Sequence, residues 1–386
     1  MPDVIIVGIG QTPVNEHWDI SLRELSYTAI EAARQDCGGL NPQALFVSNM
    51  LAPALSGQSH LGALVADFAG LTGIEASVIE ASGASGGAAL RMGYLAVASG
   101  AIEVALVVGV EKMTDQIGST VEAATANAAD SDYEAAHGLT PTAQAALLMQ
   151  RYLHEYHVQH QDFAGFAITA HANGSGNPNA MFQKPINLNT YQHGGIVSEP
   201  LNTFDVAPNA DGAAAIILTR ADLLPPHFPN KLVRISGSSS VTDTLALHDR
   251  TNPLDFKAAR LSVERACRQA AILPEDVDFF ELHDAYTIFT ALSLEAAGFA
   301  ECGNGWQLAQ DGKIGLLGQI PISTMGGLKA RGNPGGATGV YQIVEAVLQL
   351  RVQAGKCQVP SARKALIQCL GGPAATAITH VLEVMK

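Results

Sequence analysis

The amino-acid sequence predicts an α/β fold in which one unit of strands and helices occurs twice. Short β-branched runs closed by glycines alternate with segments of helical periodicity, which favours parallel strands joined by helical crossovers. The order of these segments in the first 115 residues returns after residue 232. Of the 386 residues, 47% are hydrophobic but only 6% are aromatic, so we expect cores of aliphatic and small side chains.

The first unit begins with an apolar strand at residues 3–8, a β-branched run that ends at a glycine. Ser21 and Glu24 then form a capping-box pattern, which predicts that a helix starts there and extends to residue 35. The remaining elements predicted in this unit are strands at 44–49, 77–80 and 104–109 and a helix of small residues at 85–99.

The second unit repeats this order of elements with different residues. Its predicted elements are strands at 232–236, 279–282 and 365–369 and helices at 261–271 and 338–350. This duplication predicts two doubly wound sheets that share a central layer of helices. We expect one domain from residues 1–115 and 203–231, a second from 232–386, and an insertion domain at 116–202.

The predicted insertion is rich in Ala, Asn, Gln, Gly and His and contains one strong helical segment, at residues 142–157. Turn signals occur at Asn177-Pro178 and Gly194-Gly195. Long irregular segments in an α/β protein usually cover a functional site, and a solvated structural insertion is the alternative.

The composition argues against several classes of function. A formal charge of −14, with no cluster of Lys and Arg, disfavours binding to nucleic acid. No run of about 18 apolar residues is present, so we expect no membrane-spanning helix. The five cysteines are odd in number and form no CxxC pair, which indicates neither a disulfide framework nor a zinc site. We therefore expect a cytoplasmic protein without a metal centre.

Two glycine-rich segments precede or open predicted helices. In residues 80–90 (EASGASGGAAL), unpaired backbone N–H groups at a helix start could bind an oxyanion, and close helix packing is the alternative interpretation. Residues 325–339 (MGGLKARGNPGGATG) form a second such turn, which fits no phosphate-loop spacing.

A histidine and an acid follow the predicted strand at 279–282, and the carboxyl end of a strand is where ligands bind in doubly wound folds. A neutral imidazole at His283 could orient a water or polarise a thioester carbonyl, and Asp284 could cap the next helix. A purely structural histidine is the alternative.

These three segments, in this order and with residues 368–372 (QCLGG), resemble the motifs of thiolases, specifically the sterol-carrier-type and archaeal branch. Residues 110–114, 211–215 and 243–250 are similar to that branch at the matching places, so the resemblance covers the whole chain. It implies the thiolase fold, a duplicated five-layered α-β-α-β-α arrangement. It also implies acyl-CoA chemistry of the acetyl-CoA C-acyltransferase kind.

The resemblance assigns roles to five residues. Gly83 stands where the family has its nucleophilic cysteine, and Asn333 stands where it has the histidine of its glycine-histidine-proline motif. Asparagine can donate a hydrogen bond but cannot take a proton. His283 matches the histidine that orients an oxyanion-hole water. Cys369 matches the second, proton-shuttling cysteine, and Gly371 matches the glycine whose N–H completes an oxyanion hole.

The resemblance further implies coenzyme A or acyl-CoA as substrate, with contacts at Ser240 and Asn173, and no bound cofactor. Removal of a nucleophile from such a site typically costs about 10⁴-fold in rate, so we expect no cysteine-dependent thiolysis. A substitute nucleophile at Ser82, Ser85 or Cys369 stays open.

Three functions remain as hypotheses. The first is an enzyme that stabilises an enolate of an acyl-CoA without covalent acylation. The second is an inactive acyl-CoA-binding or scaffold subunit of a multi-enzyme complex. The third is a retro-aldolase-type lyase that works with an OB-fold partner, with Tyr286 as a candidate acid. The resemblance also implies a homodimer, because family members bury an edge strand between two copies.

Overall fold

The structure is a computed structural model that describes residues 3–224 and 228–385. The predicted domain limits at residues 1 and 386 lie outside the described residues, as do residues 225–227 of the first predicted domain. The strands are β1 (Val4–Gln11), β2 (Ala44–Ser48), β3 (Glu75–Ile79), β4 (Val104–Glu111), β5 (Ile196–Ser198), β6 (Leu201–Asn202), β7 (Gly212–Arg220), β8 (Val233–Thr242), β9 (Phe279–Glu281), β10 (Lys364–Gly371) and β11 (Thr376–Val384). The helices are α1 (Leu22–Asp36), α2 (Leu61–Phe68), α3 (Ser85–Ser99), α4 (Gly118–Ala126), α5 (Pro141–Tyr156), α6 (Ala164–Gly174), α7 (Leu188–Gln192), α8 (Lys257–Ala270), α9 (Thr287–Ala296), α10 (Gln307–Gln310) and α11 (Thr338–Arg351).

The strand order confirms the predicted duplication. Within the described residues, nine strands follow the order β3-β2-β4-β7-β1-β8-β11-β10-β9. Read outward from the middle, β1-β7-β4-β2 in the first half matches β8-β11-β10-β9 in the second. The two halves meet where β1 and β8 pair over only two residue pairs, Ile5 with Arg234 and Ile6 with Val233.

The prediction of parallel pairing is only partly right. β2 pairs in parallel with β3 and β4, and β9 pairs in parallel with β10. β7 and β11, which the sequence analysis did not identify, run antiparallel to both of their neighbours. The reason is clearest at β11, because only residues 372–375 separate it from β10, and so short a turn joins antiparallel strands.

The helices form three layers around the two halves of the sheet, which confirms the five-layered arrangement. α1 and α2 cover the outer face of the first half, and α8 covers the outer face of the second. α3 and α11 pack between the halves and contact strands of both. The central core between them is aliphatic, with Leu90, Val340 and Ile367 fully buried.

Glycines allow the two central helices to approach closely. A Cβ on Gly86 of α3 would lie 2.5 Å from the backbone nitrogen of Val340, and one on Gly339 of α11 would lie 2.7 Å from the nitrogen of Gly87. Larger side chains at these positions would separate α3 from α11. Close helix packing is the alternative interpretation of the first glycine-rich segment, and it explains the glycine at position 86 of that segment.

Residues 116–202 contain more regular structure than the single helix that we predicted. They include α4, α5, α6 and α7 and the short β5–β6 pair. A contact between side chains joins α5 to the second half: the Tyr152 hydroxyl on α5 donates a hydrogen bond to Glu295 of α9 at 2.5 Å. In the part of the chain that the structure describes, no helix has the length and apolar character needed to cross a membrane.

Candidate functional site

A cavity of about 510 Å³ opens where several chain segments converge. It is lined by the turn before α3, the segment after β9, the end of β10 and the loop before α11. Residues of α4, α5 and α6 and residues 203–209 also line it. Three of the five site residues taken from the resemblance line this cavity: Gly83, His283 and Asn333.

Gly83 lies just before α3 and packs tightly. A Cβ built on it would be 2.7 Å from the carbonyl oxygen of Leu370 and 2.9 Å from Cε1 of His283. Ser82 also lines the cavity, with φ at 53°. The Ser85 hydroxyl instead donates to the Ser82 carbonyl at 2.5 Å, within the turn and away from the cavity. Of the two serines, only Ser82 is placed where a substrate could reach it.

His283 follows β9 and is 6% exposed. Burial, with a further contribution from the charge of Arg331, lowers the pKa of His283 to about 3. Its Nδ1 is buried and has no hydrogen-bond partner among the described residues. His283 is therefore a neutral imidazole at neutral pH, suited to donating or accepting a hydrogen bond rather than carrying a charge.

Hydrogen bonds hold Asn333 in a defined orientation. Its backbone N–H donates to the Pro208 carbonyl at 3.0 Å, and its carbonyl accepts from Ala210 N–H at 3.2 Å. The Thr338 hydroxyl donates to Asn333 Oδ1 at 2.8 Å. Because Oδ1 is engaged by Thr338, the side-chain NH₂ group of Asn333 is the part left to donate to a ligand.

Cys369 does not line the cavity, although the resemblance implied a catalytic role. Its side chain is fully buried in the central layer, where Sγ contacts Gln342 Oε1 at 3.3 Å. Burial raises the pKa of the Cys369 thiol to about 12. Successive residues of a strand point to opposite faces, so it is the next residue, Leu370, that contributes to the cavity.

Gly371 lies beside the cavity between two of its lining residues, Leu370 and Gly372, without lining it. A Cβ on Gly371 would be 2.7 Å from the carbonyl oxygen of Ala81, two residues before Gly83. This glycine is therefore required for the close approach of β10 to the turn that precedes α3.

Neither residue expected to contact coenzyme A reaches the cavity. Ser240 is exposed on β8, opposite Ile378 of β11. The Asn173 amide is buried and donates to the carbonyl groups of Ile322 and Ser323 at 3.2 and 3.1 Å. Asn173 thus fastens α6 to the loop that follows α10, which is a structural task.

The structure adds Lys329 and His171, which the sequence analysis missed. Lys329 is 2% exposed, lines the cavity and donates from Nζ to the Asp205 carbonyl at 2.7 Å. Burial lowers the pKa of Lys329 to about 8, against the opposing effect of Asp284 and Asp205. Lys329 belongs to the second glycine-rich segment, but a lysine in a turn is normally solvated, so nothing local indicated its burial.

An acid and a phenol line another part of the cavity. The Tyr286 hydroxyl lies 3.2 Å from Thr142 Oγ1, and burial, with a smaller effect of Glu122, raises the pKa of Tyr286. Burial also raises the pKa of Glu122. Burial thus favours the protonated forms of both Glu122 and Tyr286, which present O–H groups to the cavity. Among the described residues, no three His, Cys, Asp or Glu side chains are grouped as metal ligands.

Two duplicated α/β units with central helices, and a cavity where their helix starts and strand ends converge, define a thiolase-like protein. The family comparison agrees with this class. The model described as "Thiolase, N-terminal domain" matches residues 4–222, and "Thiolase C-terminal domain-like" matches residues 239–384. The chain belongs to the thiolase family.

Two curated relatives match nearly the whole chain. The acetyl-CoA acetyltransferase of Methanothermobacter thermautotrophicus is 38% identical over 385 residues, which cover 99% of this chain and 100% of that protein. Subunit BbsB of the benzoylsuccinyl-CoA thiolase of Thauera aromatica is 30% identical over 377 residues, 96% of this chain and 94% of that one.

Solved structures share the fold at lower identity. The structure described as "Ltp2-ChsH2(DUF35) aldolase" has a TM-score of 0.82 and 23% identity, covering 99% of this chain and 98% of that one. An acetyl-CoA acetyltransferase from Syntrophomonas wolfei has a TM-score of 0.72 and 17% identity, with 99% of each chain covered.

Proposed function

We propose that this protein binds an acyl-CoA thioester and acts on it without forming an acyl-enzyme. The observation that carries the proposal is the surroundings of Gly83, the position that the motif assigns to the family's nucleophile. It has no side chain, the nearest side chain is that of His283, and Asn333 lines the same cavity; both are hydrogen-bonding groups rather than bases at neutral pH.

The substrate class is supported by the relatives. Both curated relatives carry names that refer to coenzyme A thioesters, and each matches more than nine-tenths of this chain. The largely apolar cavity also suits an acyl chain. Coenzyme A is thus proposed as part of the substrate rather than as a resident cofactor.

The proposed chemistry is stabilisation of negative charge on the thioester oxygen. The Asn333 side-chain NH₂ group and a neutral His283 are donors that need no proton transfer of their own, and preorganised donors of this kind typically contribute about 10²–10³-fold each. Backbone N–H groups at Gly83 and Gly371 are proposed to add to them. An enolate held in this way permits carbon–carbon cleavage or decarboxylation.

A lyase is the second candidate, and Tyr286 favours it. A buried phenol beside Thr142 and Glu122 could give or take a proton at the carbon chain of the substrate. A structure with the same fold carries the name of an aldolase with a second component. We propose a small OB-fold protein as the partner in that case, and a reducing, cytoplasmic location in either case.

Turnover and mass measurements test the proposal together. We expect acetyl-CoA and acetoacetyl-CoA to bind, while intact-protein mass spectrometry after incubation shows no acetyl adduct. His283→Ala should abolish any turnover with acyl-CoA affinity nearly unchanged. An adduct on Ser82 would contradict the non-covalent proposal, and binding without turnover of any acyl-CoA would favour the inactive scaffold subunit.

A further inference from the structure

Lys329 places a buried ammonium group at the wall of the cavity. Its side chain lines the cavity, its exposed fraction is 2%, and Nζ donates one hydrogen bond, to the Asp205 carbonyl at 2.7 Å. Within the described residues, no carboxylate forms an ion pair with it. An ammonium has three protons to donate, and burial of a charge without a partner is costly, so this group is incompletely satisfied.

The acidic groups near Lys329 are engaged elsewhere. The Asp205 carboxylate accepts hydrogen bonds from His160, Tyr191 and Thr287 at 2.6 to 2.7 Å. The Asp284 carboxylate accepts from the backbone N–H of Leu328 at 2.7 Å. Both carboxylates favour the charged form of Lys329, but neither accepts a hydrogen bond from its ammonium group.

His171 on α6 is a second incompletely satisfied group that lines the same cavity. It is 7% exposed, and its Nδ1 is buried without a hydrogen-bond partner among the described residues. Burial and the charge of Lys329 lower the pKa of His171, against the opposing effect of a backbone hydrogen bond at Lys184, and both side chains line the cavity. Phe182 stacks on the His171 ring at 5.9 Å and Phe204 meets it edge-on at 6.0 Å.

The backbone limits the distance between this pair and the proposed oxyanion donors. Lys329 donates a hydrogen bond to the carbonyl of Asp205, and the Asn333 backbone N–H donates one to the carbonyl of Pro208. Three residues of chain span at most about 11 Å, which is the upper limit on the separation of these two anchor points along the chain.

We propose that Lys329, in the cavity that His171 also lines, binds a carboxylate at the far end of the acyl group, so that the substrate is the CoA thioester of a dicarboxylic acid. This inference rests on the proposed acyl-CoA function. A carboxylate accepts several hydrogen bonds, and its negative charge would supply the partner that the buried ammonium lacks. The aromatic rings at His171 then exclude water from the ion pair and strengthen it.

The test compares acyl-CoAs that differ only in the terminal group. Affinities of succinyl-, glutaryl- and adipyl-CoA are measured by isothermal titration calorimetry beside butyryl-, pentanoyl- and hexanoyl-CoA, which have the same carbon counts. We expect at least one dicarboxylic thioester to bind about 10- to 100-fold more tightly than its alkyl counterpart, the range expected for a charge-assisted hydrogen bond. Lys329→Met should remove this preference while alkyl acyl-CoA affinity changes by less than about threefold.

A matched control is Lys313→Met, which removes an exposed lysine paired with Asp311 at 2.8 Å and should leave the preference intact. The comparison in the unmodified protein does not depend on whether a variant folds. Equal affinities within every pair, or a preference that survives in Lys329→Met, would overturn the inference. Reduction with borohydride that fixes acetoacetyl-CoA to Lys329 would overturn it too, because Lys329 would then be a nucleophile. Failure of every acyl-CoA to bind would instead refute the proposed function on which it rests.

Discussion

Gly83 packs so closely against Leu370 and His283 that any side chain there requires a local shift. The positions of Gly83, His283 and Leu370 therefore depend on one another. Substitution of one of them tests both the packing of the turn before α3 and the chemistry of the cavity.

Restoring the family's cysteine alone should not restore its chemistry. Gly83→Cys and its control Gly83→Ala both introduce a Cβ 2.7 Å from the Leu370 carbonyl oxygen, so each should lower the free energy of unfolding by about 1–3 kcal/mol. Only the double variant Gly83→Cys with Asn333→His gains a base, so only it should form an acetyl-cysteine with acetyl-CoA. Intact-protein mass spectrometry measures the adduct, and equal acetylation of the single cysteine variant would refute this view.

Cys369 should resist chemical modification in the folded protein. It is fully buried and its thiol pKa is raised to about 12, whereas Cys302 is exposed. Because the thiolate is the reactive form, iodoacetamide should modify Cys302 first and Cys369 only after unfolding. Peptide mass spectrometry resolves the two sites, and rapid labelling of Cys369 in native protein would show that it reaches the cavity.

At the scale of elements, one ion pair fastens the segment that carries Lys329 and Asn333 to helix α11. Arg331 Nη1 lies 2.7 Å from Glu345 Oε2, and both side chains are almost fully buried. The Arg331 guanidinium also lies over the Tyr341 ring, 5.2 Å from its centroid. This pair holds the loop before α11 against that helix.

Removal of one partner of that ion pair should destabilise the protein more than replacement of both partners by apolar side chains. Glu345→Leu leaves a buried, unpaired guanidinium and should lower the free energy of unfolding by about 3–5 kcal/mol. The double variant Arg331→Met with Glu345→Leu removes both charges and should recover most of that loss. Urea unfolding followed by circular dichroism compares them, and a double variant no more stable than the single one would contradict the expectation.

Strand β11 carries a buried histidine that makes stability depend on pH. His380 Nε2 lies 3.0 Å from the Gly87 carbonyl, and burial lowers the pKa of His380 to about 4. The unfolded chain takes up this proton near pH 6.5, so the contribution to stability is present above that pH and is lost as the pH falls toward 4. The wild type loses this contribution on acidification and His380→Gln does not. When the pH is lowered from 7 to 5, the free energy of unfolding of His380→Gln should therefore rise by about 2 kcal/mol relative to that of the wild type. A pH-independent difference in urea-unfolding free energy would contradict this.

At the scale of the whole molecule, β3 leaves one edge of the sheet open. It is first in the strand order, its only partner among the described strands is β2, and its residues are mostly exposed. Open edges that carry apolar side chains tend to pair with another chain. We therefore propose a two-fold dimer formed through β3.

Light scattering during size-exclusion chromatography tests the dimer. We expect about twice the chain mass of 40.3 kDa at micromolar concentration. Val78→Lys places a charge on the open edge strand and should yield monomers, whereas Val352→Lys, at an exposed position beyond α11, should not. A monomeric wild-type protein would refute the proposal.

The sequence determined the elements with strong local patterns. Helix α3 has the predicted bounds 85–99, and α1 starts at its capping box, with Ser21 N–H donating to Glu24 at 2.8 Å. The order of segments also predicted the duplication. These features depend on hydrophobic periodicity, caps and turn residues, which involve neighbours in the chain.

Only the tertiary structure decided the rest. The alanine-rich strand β7 lacks a β-branched pattern at its start, and its direction depends on the partners on either side. The strand pleat turned Cys369 away from the cavity, and folding brought His171 and Lys329, which are far apart in sequence, to the same cavity. Burial of a charge or a thiol results from contacts among distant residues, and local sequence carries no record of those contacts.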